Sequence, residues 1–203
     1  MNYSFSAKEM FLICKLASYI ALDDLKSTGK IFRKAKKLSV NPDKTYEAIL
    51  QSHLFCGFPA AIEALKIFSN HFPEFIPKIQ KNDIDLFNAR GNHNCKLIYK
   101  NNFKKLLSNM SKLSPDLKNW MISDGYGKVM GRKGLNLLER EFINISVLCT
   151  RYYENQLHSH LRGCLNLGCD PVMVRMILEE LTETAGKYNI KKAIKLFDSI
   201  VKK

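Results

Sequence analysis

Slid over itself by 129 residues, the sequence meets its own pattern again: Leu38 falls on Leu167, Asn41-Pro42 on Asp170-Pro171, Gly57 on Gly186, and Ala64-Leu-Lys-Ile-Phe68 on Ala193-Ile-Lys-Leu-Phe197. No gap is needed across that span. Such repetition confines the fold to two copies of one supersecondary unit with a connector between them. Upstream, Glu9 falls opposite Glu141 once about three residues are inserted, a change that a turn between helices tolerates. The expected organisation is one domain over 1–203, with repeat one at 1–71, a helical connector at 72–130 and repeat two at 131–203.

The repeated unit is helical. Apolar residues recur every three or four positions, as in Phe11, Cys14, Leu16, Ala17, Ile20 and again in Val174, Ile177, Leu178, Leu181, while alternation with a period of two is nearly absent. Asn41-Pro42, Ser114-Pro115 and Asp170-Pro171 each place a capping side chain before a proline at the first helical position, where the missing N–H costs nothing. The connector reads as helix over Cys95 to Met110 and Asp116 to Gly127. Its Leu, Ile and Phe content is too high for a flexible linker, so it is expected to pack on both repeats.

Charge and cysteine usage exclude several classes of function. The net charge of +13 divides into +4, +5 and +4 over 1–70, 71–130 and 131–203, so it is spread rather than gathered into a nucleic-acid face. The densest basic run, Lys26 to Lys37, has no interleaved aromatic platform and reads as a solvated helix face. Nucleic acid is therefore not an expected partner. The apolar run Met10 to Leu22 is 13 residues long and carries Lys15, too short to span a bilayer, and no membrane is expected. Six cysteines without a CxxC pair or zinc-ligand spacing indicate reduced, buried thiols and a cytoplasmic setting.

From Gly131 onward the order of motifs is Gly-Arg-Lys-Gly-Leu, then Glu-Arg-Glu, His160-Leu-Arg-Gly163, Asn166-Leu-Gly168 and a glycine before the last helix. Together with Cys56-Gly-Phe-Pro-Ala60 and the connector's WMISDGYGKVMGRKGL, this order resembles the carboxymuconolactone decarboxylase family, which includes alkylhydroperoxidase D. The resemblance is strong from Trp120 on and weak before it. It implies an all-α, AhpD-like helical fold, assembly as a homo-oligomer (trimer or hexamer), a small-molecule substrate, and no cofactor.

The peroxidase branch of that family uses a CxxC pair, a histidine four residues after the second cysteine, and a glutamate nineteen residues before that histidine. Carried over, the histidine is His160 and the glutamate Glu141, but the cysteine positions hold Tyr153 and Gln156. Peroxidase activity is therefore not expected, because no thiolate pair is present to attack a peroxide and close a disulfide. The decarboxylase branch has a glutamate where this chain has Gln156, which can orient an imidazole but cannot carry a proton.

The expected catalytic set is His160, Glu141 and Gln156, with Arg162, Arg132 and Tyr153 as substrate-binding candidates. His160 would move a proton, Glu141 would orient it, and an arginine would hold a carboxylate bidentately. On one straight helix Glu141 and His160 would lie about 28 Å apart, so a turn near Thr150-Arg151 must fold the two segments antiparallel. Gln156, His160 and Cys164 then share a face, and His158 points away from it as a surface residue. The divergence of His158 from His160 argues against a metal site. The expected reaction is lyase-type acid/base chemistry on a small carboxylated or lactone substrate. The alternatives are a histidine bonded to Glu141 for structure alone, and an oligomeric binding protein whose site has decayed.

Overall fold

A computed structural model describes residues 6–202, which are almost wholly helical and contain no strand. Helices α1 (Ala7–Ala21), α2 (Leu25–Lys37) and α3 (Pro42–His71) form the first group; α4 (Ile84–Tyr99), α5 (Phe103–Leu113) and α6 (Pro115–Trp120) follow. A π-helical segment, Met121–Val129, continues α6, and α7 (Leu137–Arg151), α8 (Glu154–Asn166), α9 (Pro171–Glu180) and α10 (Thr182–Val201) complete the chain. The three Pro-initiated starts are as expected: Asn41, Ser114 and Asp170 each accept a backbone N–H of the first turn. The connector's first helix differs, because the chain breaks at Lys100, where φ is +45°, and Asn101 and Asn102 continue in a 3₁₀ turn. Asparagine is a weak helix former, so little opposes the break.

Backbone landmarks recur at a fixed interval. Left-handed residues fall at Asp23 and Tyr152, at Ser39 and Gly168, and at Gly57 and Gly186, each pair 129 positions apart. Both α2 and α8 are thirteen residues long and begin at the same interval. The expected match of Glu9 with Glu141 is corrected by the capping register. Ser6 caps α1 on the N–H of Glu9 and Asn136 caps α7 on that of Glu139, so Glu9 stands where Glu139 stands. Both carboxylates grip Lys44, at 2.9 and 2.7 Å.

α1 divides two apolar cores because its sequence is apolar on two faces. Met10, Ile13, Cys14 and Ala17 enter the core built with α4 and α7 to α10, whereas Leu12, Leu16 and Ile20 enter the core shared with α2 and α3. α3 is long and apolar enough to cross a membrane, but it is bent in two at Gly57, with Pro59 just beyond. Neither half, at about 1.5 Å per residue, reaches the ~30 Å of a hydrocarbon layer.

α4 and the π-helical segment meet backbone to backbone. A methyl group on Gly91 would lie 2.0 Å from the carbonyl oxygen of Ile122, and one on Gly127 would lie 2.0 Å from that of Phe87. Both neighbours are main chain and cannot swing aside. We therefore expect Gly91→Ala to lower the unfolding free energy by about 3 kcal/mol in urea denaturation, the upper range for overpacking; an unchanged midpoint would show that the two segments are free to separate.

Candidate functional site

The turn that brings Glu141 to His160 lies one residue beyond the expected place, at Tyr152, whose φ of +53° reverses the chain between α7 and α8. Glu141 is wholly buried and His160 is 7% exposed. The imidazole Nδ1 lies 2.8 Å from Glu141 Oε2, and Asn144 Nδ2 donates to Glu141 Oε1 at 3.0 Å. With Nδ1 held by the carboxylate, Nε2 is left for the cavity that His160 lines. Gly163 makes this approach possible, since a methyl group there would sit 2.7 Å from Glu141 Oε2. The Gly163 of the His-Leu-Arg-Gly motif is thus a clearance for the carboxylate.

Behind Asn144 a buried polar chain runs from α7 into α3. Gln51 Nε2 donates to Asn144 Oδ1 and to the Arg140 carbonyl, both at 2.7 Å, and Gln51 Oε1 accepts from the Arg140 guanidinium at 3.1 Å. Arg140 is completely buried and pairs with Glu47 at 2.9 Å. Burial pulls the Arg140 pKa below the ordinary arginine value, against the opposing pull of Glu47. None of Asn144, Gln51, Arg140 and Glu47 was among the expected site residues. The available signals were Glu141 and Asn144 three apart on one helical face, and Glu47 and Gln51 four apart within an apolar helix.

His160 lies on the wall of a cavity of about 480 Å³. Its other walls come from α3 (Leu54, Phe55), from α5 and α6 (Leu106, Met110, Leu117, Trp120), and from the π-helical segment (Met121, Asp124, Tyr126). Tyr99 and Tyr126 also line it, with their hydroxyls 2.8 Å apart. Burial raises both phenols above the ordinary tyrosine value, so both keep their protons. One hydroxyl donates to the other and leaves one O–H for a ligand.

The expected residues divide. Gln156 is exposed at the cavity's mouth and lines it. Of the three substrate-binding expectations, Arg162, Arg132 and Tyr153, none lines this cavity. Arg162 is exposed on α8, pointing off the site, since its position two residues after His160 turns it to another face. Arg132 is bound bidentately to Glu47 at 2.9 to 3.0 Å and is a structural anchor. Tyr153 is half exposed at the start of α8. His158 is partly buried and does not line the cavity.

All six cysteines are free thiols. Burial pushes Cys14, Cys149 and Cys169 up to about 12 and raises Cys56, Cys95 and Cys164 as well. None is poised as a nucleophile. The unfolded chain ionises these thiols near the ordinary value of 9.0, whereas the folded chain holds the protons. Stability from them is therefore complete below pH ~9 and lost as pH rises toward ~12. Lys44 acts in the same direction. Burial lowers its pKa, but its bonds to Glu139 and Glu9 outweigh this and raise it. We expect the urea midpoint to fall between pH 8.5 and 10.5; a midpoint that rose over that range would refute the burial of the thiols.

Comparison with known proteins adds sequence kinship to this geometry. Residues 115–199 match the model of the carboxymuconolactone decarboxylase family, a span that includes Glu141, Asn144, Gln156 and His160. The chain is 29% identical over 151 residues to "Peroxisomal protein 2" of Schizosaccharomyces pombe, a match covering 70% of each chain. It is 34% identical over 62 residues to a 4-carboxymuconolactone decarboxylase of Acinetobacter baylyi, covering 30% of this chain and 46% of that protein.

Proposed function

Residues 115–199 of this chain belong to the carboxymuconolactone decarboxylase family, and from that premise we propose a cofactor-free enzyme that performs lyase-type acid/base chemistry on a small carboxylated or lactone compound. The observation that carries the proposal is the His160–Glu141 pair, 2.8 Å apart, on the wall of a ligand-sized cavity. Glu141 accepts from Nδ1–H and fixes the tautomer, so Nε2 is the atom that takes a proton from carbon or returns one to it. In a decarboxylation the bond from carbon to the carboxylate breaks and carbon dioxide leaves, the electron pair being delocalised toward a lactone carbonyl. Carbon then receives the proton that Nε2 has first taken from solvent, as the imidazolium paired with Glu141. The free hydroxyl of the Tyr99–Tyr126 pair is the donor for that carbonyl oxygen.

The protein is further proposed to act as a homo-oligomer. The paired backbone landmarks support reading 1–71 and 131–203 as two copies of one unit joined by 72–130. Reduced thiols favour a cytoplasmic location, and the printed name of the Schizosaccharomyces pombe relative makes the peroxisome the compartment to compare.

A second reading, a binding protein without turnover, is favoured by Gln156, which cannot carry a proton at the position beside His160. A test that separates the two incubates the purified protein with 4-carboxymuconolactone and a panel of neutral lactones in deuterated buffer, following carbon dioxide release and deuterium uptake at carbon. The enzyme reading expects turnover that disappears in His160→Gln. Binding with no turnover of any compound would establish the second reading instead.

A further inference from the structure

We infer that the ligand of the His160 cavity is an uncharged, lipophilic carbonyl compound, distinctly larger than a bare lactone ring. This rests on the proposed function only in taking this cavity as the substrate site, and of the two substrate classes named there it selects the neutral lactone over the carboxylated compound.

Charge is the first argument. No lysine or arginine lines the cavity among the described residues, although the chain carries 32 of them. Arg132 and Arg140, the arginines nearest in sequence to Glu141, are committed to Glu47. The acids are closer: Asp124 lines the cavity, and Glu141 stands directly behind His160. A carboxylate entering here would lose its hydration without gaining a permanent cation and would meet negative charge, an unfavourable exchange. A neutral carbonyl needs only a donor, and the Tyr99–Tyr126 pair has one O–H to give.

Size and wall chemistry are the second argument. A cavity of about 480 Å³ lies within the range that encloses drug-sized ligands, roughly 300–1,000 Å³. A bare lactone bonded to His160 and the tyrosines would leave most of that space empty. Much of the remaining wall is apolar, with Leu54, Phe55, Leu106, Met110, Leu117 and Met121, and Asn144, Asn155, Gln156 and Ser159 add uncharged polar groups. Leucine, phenylalanine and methionine offer an alkyl chain dispersion contacts and few polar partners, and methionine adapts its shape to the occupant. Apolar side chains make the larger part of the wall beside the His160 and tyrosine donors, which suits a ligand with a polar head and a hydrocarbon body.

The sequence supplies its own probe, because Trp120 is the sole tryptophan and lines the cavity. The whole protein is titrated with γ-butyrolactone, γ-octalactone and γ-dodecalactone, and with alkyl carboxylates matched in length, by Trp120 fluorescence and calorimetry. We expect affinity to rise with chain length, by up to about fourfold per methylene, and each carboxylate to bind at least tenfold more weakly than its lactone. Met110→Lys places an ammonium in the wall on a helix with no buried residue, so the fold should tolerate it, and this variant should shift preference toward the carboxylate. Affinity that does not change with chain length, tighter binding of the carboxylates, or no binding of any lactone by either method would overturn the inference. Tight lactone binding without turnover would leave it standing and sink the catalytic reading. Turnover of 4-carboxymuconolactone without chain-length dependence would do the reverse.

Discussion

Glu47→Ala is expected to lower the unfolding free energy by about 3–5 kcal/mol, the range for removing one partner of a buried ion pair. Glu47 holds two cations, Arg132 through both carboxylate oxygens and Arg140 at 2.9 Å. Arg140 has no exposed surface, and its Nε already lacks a hydrogen-bond partner. Without Glu47 its guanidinium would keep only the Gln51 side chain and the Arg132 carbonyl, leaving a buried charge uncompensated. The exposed Lys66–Glu63 pair is the internal control, since Lys66→Ala should cost under ~1 kcal/mol. Urea denaturation of both variants reads the difference. Equal costs would mean that water reaches Arg140.

Glu141→Gln should leave the protein folded and lower turnover about 10²- to 10⁴-fold, the range for general acid–base catalysis by an imidazole that has lost the carboxylate holding its tautomer. Glutamine keeps the volume of Glu141 but removes the charge that stabilises an imidazolium, and its amide group can face Nδ1 as a donor and favour the other tautomer. Gly163→Ala tests the same contact from α8. Its methyl group would crowd Glu141 Oε2 at 2.7 Å and Ile98 at 2.8 Å, shifting the carboxylate without altering its chemistry. We expect a smaller loss of turnover from this variant, with lactone binding at Trp120 retained. Full activity in both variants would show that Glu141 positions nothing.

The sequence made the His160–Glu141 pair legible because both residues keep a family spacing and because helical geometry demands a reversal midway between them. It did not mark the reversal itself: Tyr152 takes a left-handed conformation with no glycine to announce it. The placement of the arginines was not legible for a related reason. Arg132 and Arg162 lie next to recognisable motifs, but proximity in sequence does not give direction, and folding turned one onto Glu47 and left the other in solvent. Most of the cavity was hidden for a different cause. Leu106, Met110, Leu117 and Met121 read as ordinary core residues of a connector, and only their placement opposite His160 makes them a wall. The polar chain through Gln51 and Glu47 was obscured because its members belong to α3, some 90 residues from their partners on α7.

The central claim is that His160 moves a proton for a ligand held in this cavity, and it is tested most directly by comparing the wild-type protein with His160→Gln on the tightest-binding lactone. Turnover and Trp120-reported affinity are measured on the same preparations. The account predicts that turnover falls at least about 10²-fold while affinity stays within about threefold, because the apolar walls supply most of the binding. Equal turnover by the two proteins would contradict it.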